Sequence, residues 1–187
     1  NIVVAAPTGV AAINARGVTL HSLFQLPFHP FLPTKNNREE LLAKIRYNKQ
    51  RIQLLQKMEL LVIDEISMVR CDVMDAIDTI LKHARRNYHL PFGGVQLLCI
   101  GDLYQLPPVA QNHEWNILSE YYQSPFFFDS QAIKEQSPLL IELNKIYRQK
   151  QDSFVRLLNK VRNNQMGADD FEDLHLRFEP TFQPDKE

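Results

Sequence analysis

"LLVIDEISMV", residues 60–69, carries the clearest structural signal in the chain. Its first four residues form an uninterrupted apolar run, which is typical of a strand buried in a sheet. Asp64 and Glu65 follow directly, and two adjacent carboxylates repel each other and resist burial unless a cation offsets their charge. The pattern therefore fits a strand that delivers two acids to a cation such as Mg²⁺. A solvated acidic turn is the alternative, and these ten residues do not separate the two.

Composition narrows the class of protein. A chain of 187 residues can form one domain with a sizeable core, or one domain and the edge of another. No apolar run approaches the ~20 residues of a membrane span, and no basic leader precedes the first apolar segment. We therefore expect no membrane partner and a cytoplasmic protein, or a nuclear or mitochondrial one in a eukaryote. Cys71 and Cys99 are too few for a disulfide framework, and we expect both thiols to be packed or idle.

Net charge bears on nucleic-acid binding. The formal value is −1, so the chain as a whole lacks the basic excess of many nucleic-acid-binding proteins. This net charge does not exclude a local groove that binds a single strand, because stacking and a few phosphate contacts are enough to hold one.

Strand and helix patterns alternate along the chain. The predicted strands are 2–6, 60–64, 95–102, 126–128 and 138–143. The predicted helices include a short piece ending near Gly17, one over 38–58, one with its apolar stripe at Val73, Ile77, Ile80, Leu81 and Ala84, and one over 152–164. Apolar strands buried on both faces and alternating with amphipathic helices predict an α/β fold, a mostly parallel sheet flanked by helices.

Polar residues follow several of these strands. Thr8 follows the first, Asp64 and Glu65 follow another, and Asp102 follows a third. Ligands of such sheets bind at the carboxyl ends of the strands, so these residues predict one binding edge. Gln105 lies just beyond, on the loop of "GDLYQLPPV" (101–109), which two prolines stiffen.

Five blocks, in order, resemble the motifs of superfamily-one helicases. They are "APTGVAA" (6–12), "GVTLHSLF" (17–24), "VIDEISMV" (62–69), "FGGVQLLCIGDLYQLPPV" (92–109) and "LNKIYRQ" (143–149), in the order of motifs Ia, Ib, II, III and IV. The combination of "DEISM", "GD", "QLPPV" and "YRQ" is similar to the Pif-one (petite integration frequency) family, relatives of RecD. The resemblance implies a RecA-like P-loop NTPase fold, with ATP and Mg²⁺ as cofactors.

The resemblance also implies roles for residues at the nucleotide. Asp64 would coordinate Mg²⁺, and Glu65 would be the catalytic base. Gln105 would sense the γ-phosphate, and Arg148 would act as an arginine finger, because a guanidinium suits the charge on a transferring phosphoryl group. Without the motif order, Arg148 would more simply be a surface arginine.

For single-stranded DNA, the resemblance implies contacts from motifs Ia and Ib. Thr8 and the backbone N–H of Gly9 would hold a phosphate, and His21 and Ser22 would add contacts to the strand. Phe24 or Phe28 would offer a stacking surface, although a phenylalanine such as Phe24 is more often part of a core.

Family members carry a Gly-Lys-Ser/Thr phosphate loop before motif Ia, whereas none of the six glycines here is followed by lysine. We therefore expect a chain that is incomplete at its N-terminus, binds ATP poorly and is inactive alone. We expect residues 1–145 to form most of the first motor domain, and 146–187 to hold motif IV with a linker or the start of the second domain.

The implied activity is that of an ATP-dependent DNA helicase, moving 5′ to 3′ on single-stranded DNA and opening duplex junctions. We expect a monomer with roles in DNA repair, recombination and telomere maintenance. Two alternatives stay open: a RecA-like ATPase switch without unwinding activity, and an inactive DNA-binding remnant.

Overall fold

A computed structural model describes residues 1–143, 145, 147 and 151–182. The chain divides into two compact units, Asn1–Leu139 and Leu140–Glu187. Each unit is described by itself. The predicted domain boundary after residue 145 stays a prediction.

The first unit is built on a four-stranded parallel sheet. The strands are β1 (Ile2–Ala6), β2 (Val18–Thr19), β3 (Leu60–Ile63) and β4 (Gln96–Cys99), in the spatial order β2-β1-β3-β4. Every pairing between these strands is parallel. The α/β fold with a parallel sheet, predicted from the alternation of apolar strands and helices, is therefore confirmed.

Helices flank this sheet. Within the first unit they are α1 (Gly9–Asn14), α2 (Leu20–Phe24), α3 (Lys35–Lys44), α4 (Lys49–Lys57), α5 (Cys71–Arg85), α6 (Asn112–Leu118) and α7 (Gln131–Glu135). The single helix predicted over 38–58 is divided, because the backbone is extended at Ile45 and Asn48 caps α4 by accepting the Arg51 N–H at 2.8 Å. No helix of the described residues is long and apolar enough to cross a membrane.

The core lies on one face of the sheet. Leu61 and Ile63 of β3 are fully buried in a cluster that includes Met74 and Ile77 of α5. The other face is partly open among the described residues, since Ile2 is 68% exposed and Leu98 and Ile100 are 47% and 46% exposed. The described residues thus bury one face of the sheet, and burial of the strands on both faces stays a prediction.

Two predicted strands are absent from the part of the chain that the structure describes. Phe127–Asp129 form a 3₁₀ turn, and Phe126 joins only an isolated bridge with Arg70. The Phe126 ring stacks on that of Phe128, with the ring centroids 5.4 Å apart. Residues 138–143 form no strand either.

The second unit contains α8 (Asp152–Arg162) and α9 (Ala168–His175). Lys160 Nζ lies 2.6 Å from Asp170 Oδ1, which joins the two helices. The helix predicted over 152–164 is confirmed and ends two residues earlier.

Candidate functional site

The predicted site residues follow neighbouring strands at one edge of the sheet. Ala6 is in register with Thr19, and Ala5 is in register with Ile63, which pairs with Cys99. All four strands are parallel, so the segments that leave them begin at the same carboxyl edge. Along this edge the order is His21–Ser22, Thr8–Gly9, Asp64–Glu65 and Gly101–Asp102, and the predicted binding edge is thereby brought together.

The turn after β3 is held from both sides. The Asp64 N–H donates to the carbonyl of Ala5 in β1 at 2.9 Å, and the Ile66 N–H donates to the carbonyl of Ile100 after β4 at 2.9 Å. Between them, Glu65 adopts a left-handed backbone conformation (φ 52°, ψ 44°), and its N–H donates to Asp64 Oδ1 at 3.0 Å. A non-glycine residue in this region costs free energy, and such strain concentrates at functional sites. Both acids remain partly exposed.

The loop after β4 contacts this turn. A Cβ on Gly101 would lie 3.0 Å from both the backbone nitrogen and Cγ2 of Ile66, so only glycine allows this approach without a shift. Asp102 organises the following residues by accepting the Tyr104 N–H at 3.0 Å, and its carbonyl accepts the Gln105 N–H at 3.0 Å. Gln105 is exposed, with Nε2 3.4 Å from Asp102 Oδ2.

The acidic residues fit a magnesium ion that is held with a nucleotide. Among the described residues, no three or more histidine, cysteine or acidic side chains form a metal cluster. Mg²⁺ commonly keeps several waters and binds through one or two carboxylates plus phosphate oxygens, so a single partly exposed carboxylate such as Asp64 suits it.

The strand-contact candidates differ in exposure. Thr8 caps α1, since its Oγ1 accepts the Ala11 N–H at 3.2 Å, and Gly9 is exposed with open space where a Cβ would lie. Ser22 is exposed and His21 is half-buried. The pKa of His21 is lowered by burial and by the nearby Arg70, so the imidazole is neutral at pH 7.

Phe24, one of the predicted stacking surfaces, is a core residue. Its side chain is 0% exposed and belongs to the main apolar cluster, so the prediction of Phe24 as a stacking surface is wrong. Its burial follows from its place at the C-terminal end of α2, where it lies beside the buried Leu20 and Leu23. Phe28, the other candidate, is 90% exposed.

Sequence reasoning missed a cluster of charges behind the site. Arg70 Nη2 lies 2.8 Å from Asp72 Oδ2, and its Nη1 lies 3.1 Å from Glu114 Oε2. Glu114 also accepts the Gln111 N–H at 3.0 Å, at the end of the loop that carries Gln105. We call Arg70, Asp72 and Glu114 the inner ion cluster.

Two further buried acids on α5 were also missed. Asp75 accepts the Tyr122 hydroxyl and two backbone N–H groups of α7, and Asp78 accepts the Phe92 N–H at 2.6 Å. The available signal was the three-residue spacing of Asp72, Asp75 and Asp78 in a helix whose other positions are largely apolar.

The two cysteines are packed, as predicted. Cys71 is buried and Cys99 is partly buried, and burial raises their pKa values to about 12 and about 11. Both are thiols at neutral pH. Arg148, predicted as the arginine finger, lies outside the described residues.

The parallel sheet and its flanking helices form part of a RecA-like α/β domain, and comparison with known proteins gives the family. The PIF1-like helicase family matches residues 1–172, and the chain belongs to that family. The ATP-dependent DNA helicase PIF1 of Candida albicans is 39% identical over 171 residues, covering 90% of this chain and 18% of its own length. The chain thus spans about a fifth of this curated relative.

Solved structures agree with this assignment. Pif1 helicase from Bacteroides in complex with ADP-AlF3 and ssDNA is 44% identical and superimposes with a TM-score of 0.90, over 99% of this chain and 42% of that one. A structure of two coordinating Pif1 helicases that unwind forked dsDNA is 46% identical, with a TM-score of 0.86, over 94% of this chain and 41% of that one.

Proposed function

We propose that the protein containing this chain is an ATP-dependent DNA helicase. It couples ATP hydrolysis to movement on single-stranded DNA, in the 5′-to-3′ direction, and unwinds duplex junctions. The observation that carries the proposal is the order of residues along the carboxyl edge. The candidate DNA contacts follow β1 and β2, and the candidate nucleotide residues follow β3 and β4. The parallel register of the sheet places the two groups side by side.

Asp64, Glu65 and Gln105 have roles that their surroundings support, whereas the role of Arg148, which lies outside the described residues, rests on the motif order alone. Asp64 would hold Mg²⁺, and the ion would neutralise phosphate charge when the nucleotide is bound. Glu65, held in place by the two flanking strands, accepts the proton of the attacking water. Gln105 lies on an exposed turn, where its amide can reach a phosphate, and Arg148 supplies a cation. None of the six glycines of this chain belongs to a Gly-Lys-Ser/Thr phosphate loop, so we expect this chain alone to be inactive.

Thr8, Gly9, His21 and Ser22 form a shallow contact surface for the strand. These residues offer an exposed backbone amide, two hydroxyls and a neutral imidazole, so their contacts with the strand are hydrogen bonds rather than ion pairs. Few phosphate charges are neutralised by these groups, so the affinity for single-stranded DNA falls only gently with salt, at roughly −0.7 per phosphate neutralised in a log–log plot.

The experiment uses the full-length gene product. Glu65→Gln keeps the shape of the side chain and removes its basicity, so hydrolysis falls by about 10²-fold or more while nucleotide binding is retained. Hydrolysis near the wild-type rate would remove Glu65 from the chemistry.

A second experiment tests the strand and its direction. Thr8→Ala combined with His21→Ala lowers single-strand affinity and unwinding rate. Forked substrates with only a 5′ or only a 3′ tail then report direction, and unwinding from the 3′ tail alone would contradict the proposed polarity.

A further inference from the structure

Phe28 and His21 form an aromatic pair beside the carboxyl edge. Their ring centroids are 5.7 Å apart with an interplanar angle of 11°, which is a stacked arrangement. His21 is half-buried in α2, whereas Phe28 is 90% exposed. An apolar ring left in water forgoes the free energy of burial, so core packing does not explain the position of Phe28.

The exposed ring is held between two anchors. Leu26 on one side and Phe31 on the other are 7% and 4% exposed. The Phe31 N–H donates to Asp72 Oδ2 at 3.0 Å, which ties this short loop to the inner ion cluster. The ring of Phe28 is thus presented to solvent by a loop that is fixed at both ends.

The pair lies next to the candidate phosphate contacts. Ala6 of β1 pairs with Thr19 of β2. Thr8 comes two residues after Ala6, and His21 comes two residues after Thr19, so both follow adjacent strands at the same level of the sheet. His21, which stacks on Phe28, therefore follows the strand next to the one that leads to Thr8 and Gly9.

The segment that includes α3 and α4, part of which packs beside this corner, is basic although the whole chain is near neutral. Segment 35–57 contains seven basic residues and two acidic ones, namely Lys35, Arg38, Lys44, Arg46, Lys49, Arg51 and Lys57 against Glu39 and Glu40. Arg51 donates to the carbonyls of Ser22 and Leu23, which fixes α4 against α2 beside the aromatic pair. A basic surface next to an exposed aromatic ring is the combination that binds single strands.

We propose that Phe28, supported from behind by His21, is a stacking platform for one unpaired base of a nucleic-acid strand. The inference rests on the proposed function, since it requires that the protein binds single-stranded DNA. The contact accepts any base, because every base has a π-face. Because the imidazole of His21 is neutral, it can support the Phe28 ring by stacking against it.

The test measures the affinity of the full-length gene product for a single-stranded oligonucleotide by fluorescence anisotropy. Phe28→Ala weakens binding by about tenfold, the order of loss found when one stacked base loses its aromatic partner. Phe28→Trp restores the affinity. Tyr88→Ala is the matched control, because Tyr88 is also exposed (59%) but lies beyond the C-terminal end of α5, and it leaves affinity unchanged.

Oligonucleotides with abasic sites at every position separate stacking from loop damage. On this strand the wild-type protein and Phe28→Ala bind equally, and the dependence of affinity on salt is the same for both, because no phosphate contact has been removed. If Phe28→Ala binds the abasic strand more weakly than the wild-type protein does, the stacking proposal is wrong and Phe28 maintains the structure of the loop instead. Normal affinity of Phe28→Ala for the ordinary strand overturns it as well.

These outcomes differ from failure of the proposed function. If the wild-type protein does not bind single-stranded DNA, the helicase proposal fails together with the platform. If the wild-type protein binds and unwinds while Phe28→Ala is indistinguishable from it, only the platform fails.

Discussion

The backbone N–H of Phe31 donates a 3.0 Å hydrogen bond to Oδ2 of Asp72, 41 residues further along the chain. The Asp72 side chain is 1% exposed and also contacts Arg70. The buried carboxylate of Asp72 therefore holds the loop that carries Phe28 and also neutralises the guanidinium of Arg70.

Asp72→Ala should destabilise the protein by about 3 kcal/mol, since it leaves Arg70 and the Phe31 N–H without this partner. Urea unfolding measures the loss, and hydrogen exchange of the Phe31 amide should speed up. Glu39→Ala is the control: its side chain is 68% exposed and it should change stability by less than about 0.5 kcal/mol. Equal losses in the two variants would contradict the role of Asp72.

Glu65 lies in the left-handed region, so its replacement by glycine or by alanine should differ in stability. Glu65→Gly should be more stable than Glu65→Ala by about 1 kcal/mol, because only glycine adopts this conformation without steric cost. Both variants remove the carboxylate, so thermal or urea unfolding isolates the backbone contribution. At Glu172, inside α9, the same two substitutions should have the opposite order. If Glu65→Ala were as stable as Glu65→Gly, or more stable, the backbone at Glu65 would be unstrained.

Gly101→Ala should disturb the turn that carries Glu65, because the new Cβ would lie 3.0 Å from the Ile66 backbone nitrogen. A small displacement of a catalytic group is costly, so we expect ATP turnover in the full-length gene product to fall about tenfold or more. Gly167→Ala is the control, with Asp170 Oδ2 at 3.8 Å as its nearest contact. Unchanged turnover in Gly101→Ala would show that the turn tolerates the methyl group.

Glu114→Gln should lower stability in a pH-dependent way. The Gln111 N–H, together with Arg70, lowers the pKa of Glu114 from its usual 4.5 in the folded state. A carboxyl whose pKa is lowered on folding stabilises the protein above its unfolded pKa, and the contribution is lost as the pH falls through the folded pKa. The difference between wild type and variant should thus be largest at pH 6–7, roughly constant down to about pH 5, and should shrink below that. Urea unfolding at pH 7, 5, 4 and 3 measures it, and a constant difference would contradict the ionic contribution.

Gln105→Ala should lower the stimulation of ATPase by DNA more than it lowers DNA affinity. The side chain is exposed on the Asp102 turn, so its loss should leave stability within about 0.5 kcal/mol. ATPase rates with and without single-stranded DNA test this, with the neighbouring exposed Leu106→Ala as control. A variant that loses affinity but keeps normal stimulation would identify Gln105 as a DNA contact.

The carboxyl edge of the sheet could be predicted because its signal is local. The apolar runs of β1, β3 and β4 are followed directly by Thr8, Asp64 and Asp102, and parallel pairing brings such ends together. Strand β2 has only two residues, which is too short for a periodic pattern, and it was not predicted.

Tertiary contacts decided what the sequence left open. Phe24 and Phe28 are chemically identical and four positions apart, yet one is 0% and the other 90% exposed. Burial of Asp72 and Asp75 depends on backbone donors 41 and more than 55 residues away, which no local pattern reveals.

The pairing of β1 with β3 has a consequence for how the protein folds. The two strands begin beside Asn1 and Glu59, which are 58 residues apart, and the intervening chain must close into a loop before the strands can pair. Contacts of such long range slow folding. The edge that holds Asp64 beside Thr8 is therefore expected to form late, after the helices, and a nascent chain acquires it only once β3 has left the ribosome.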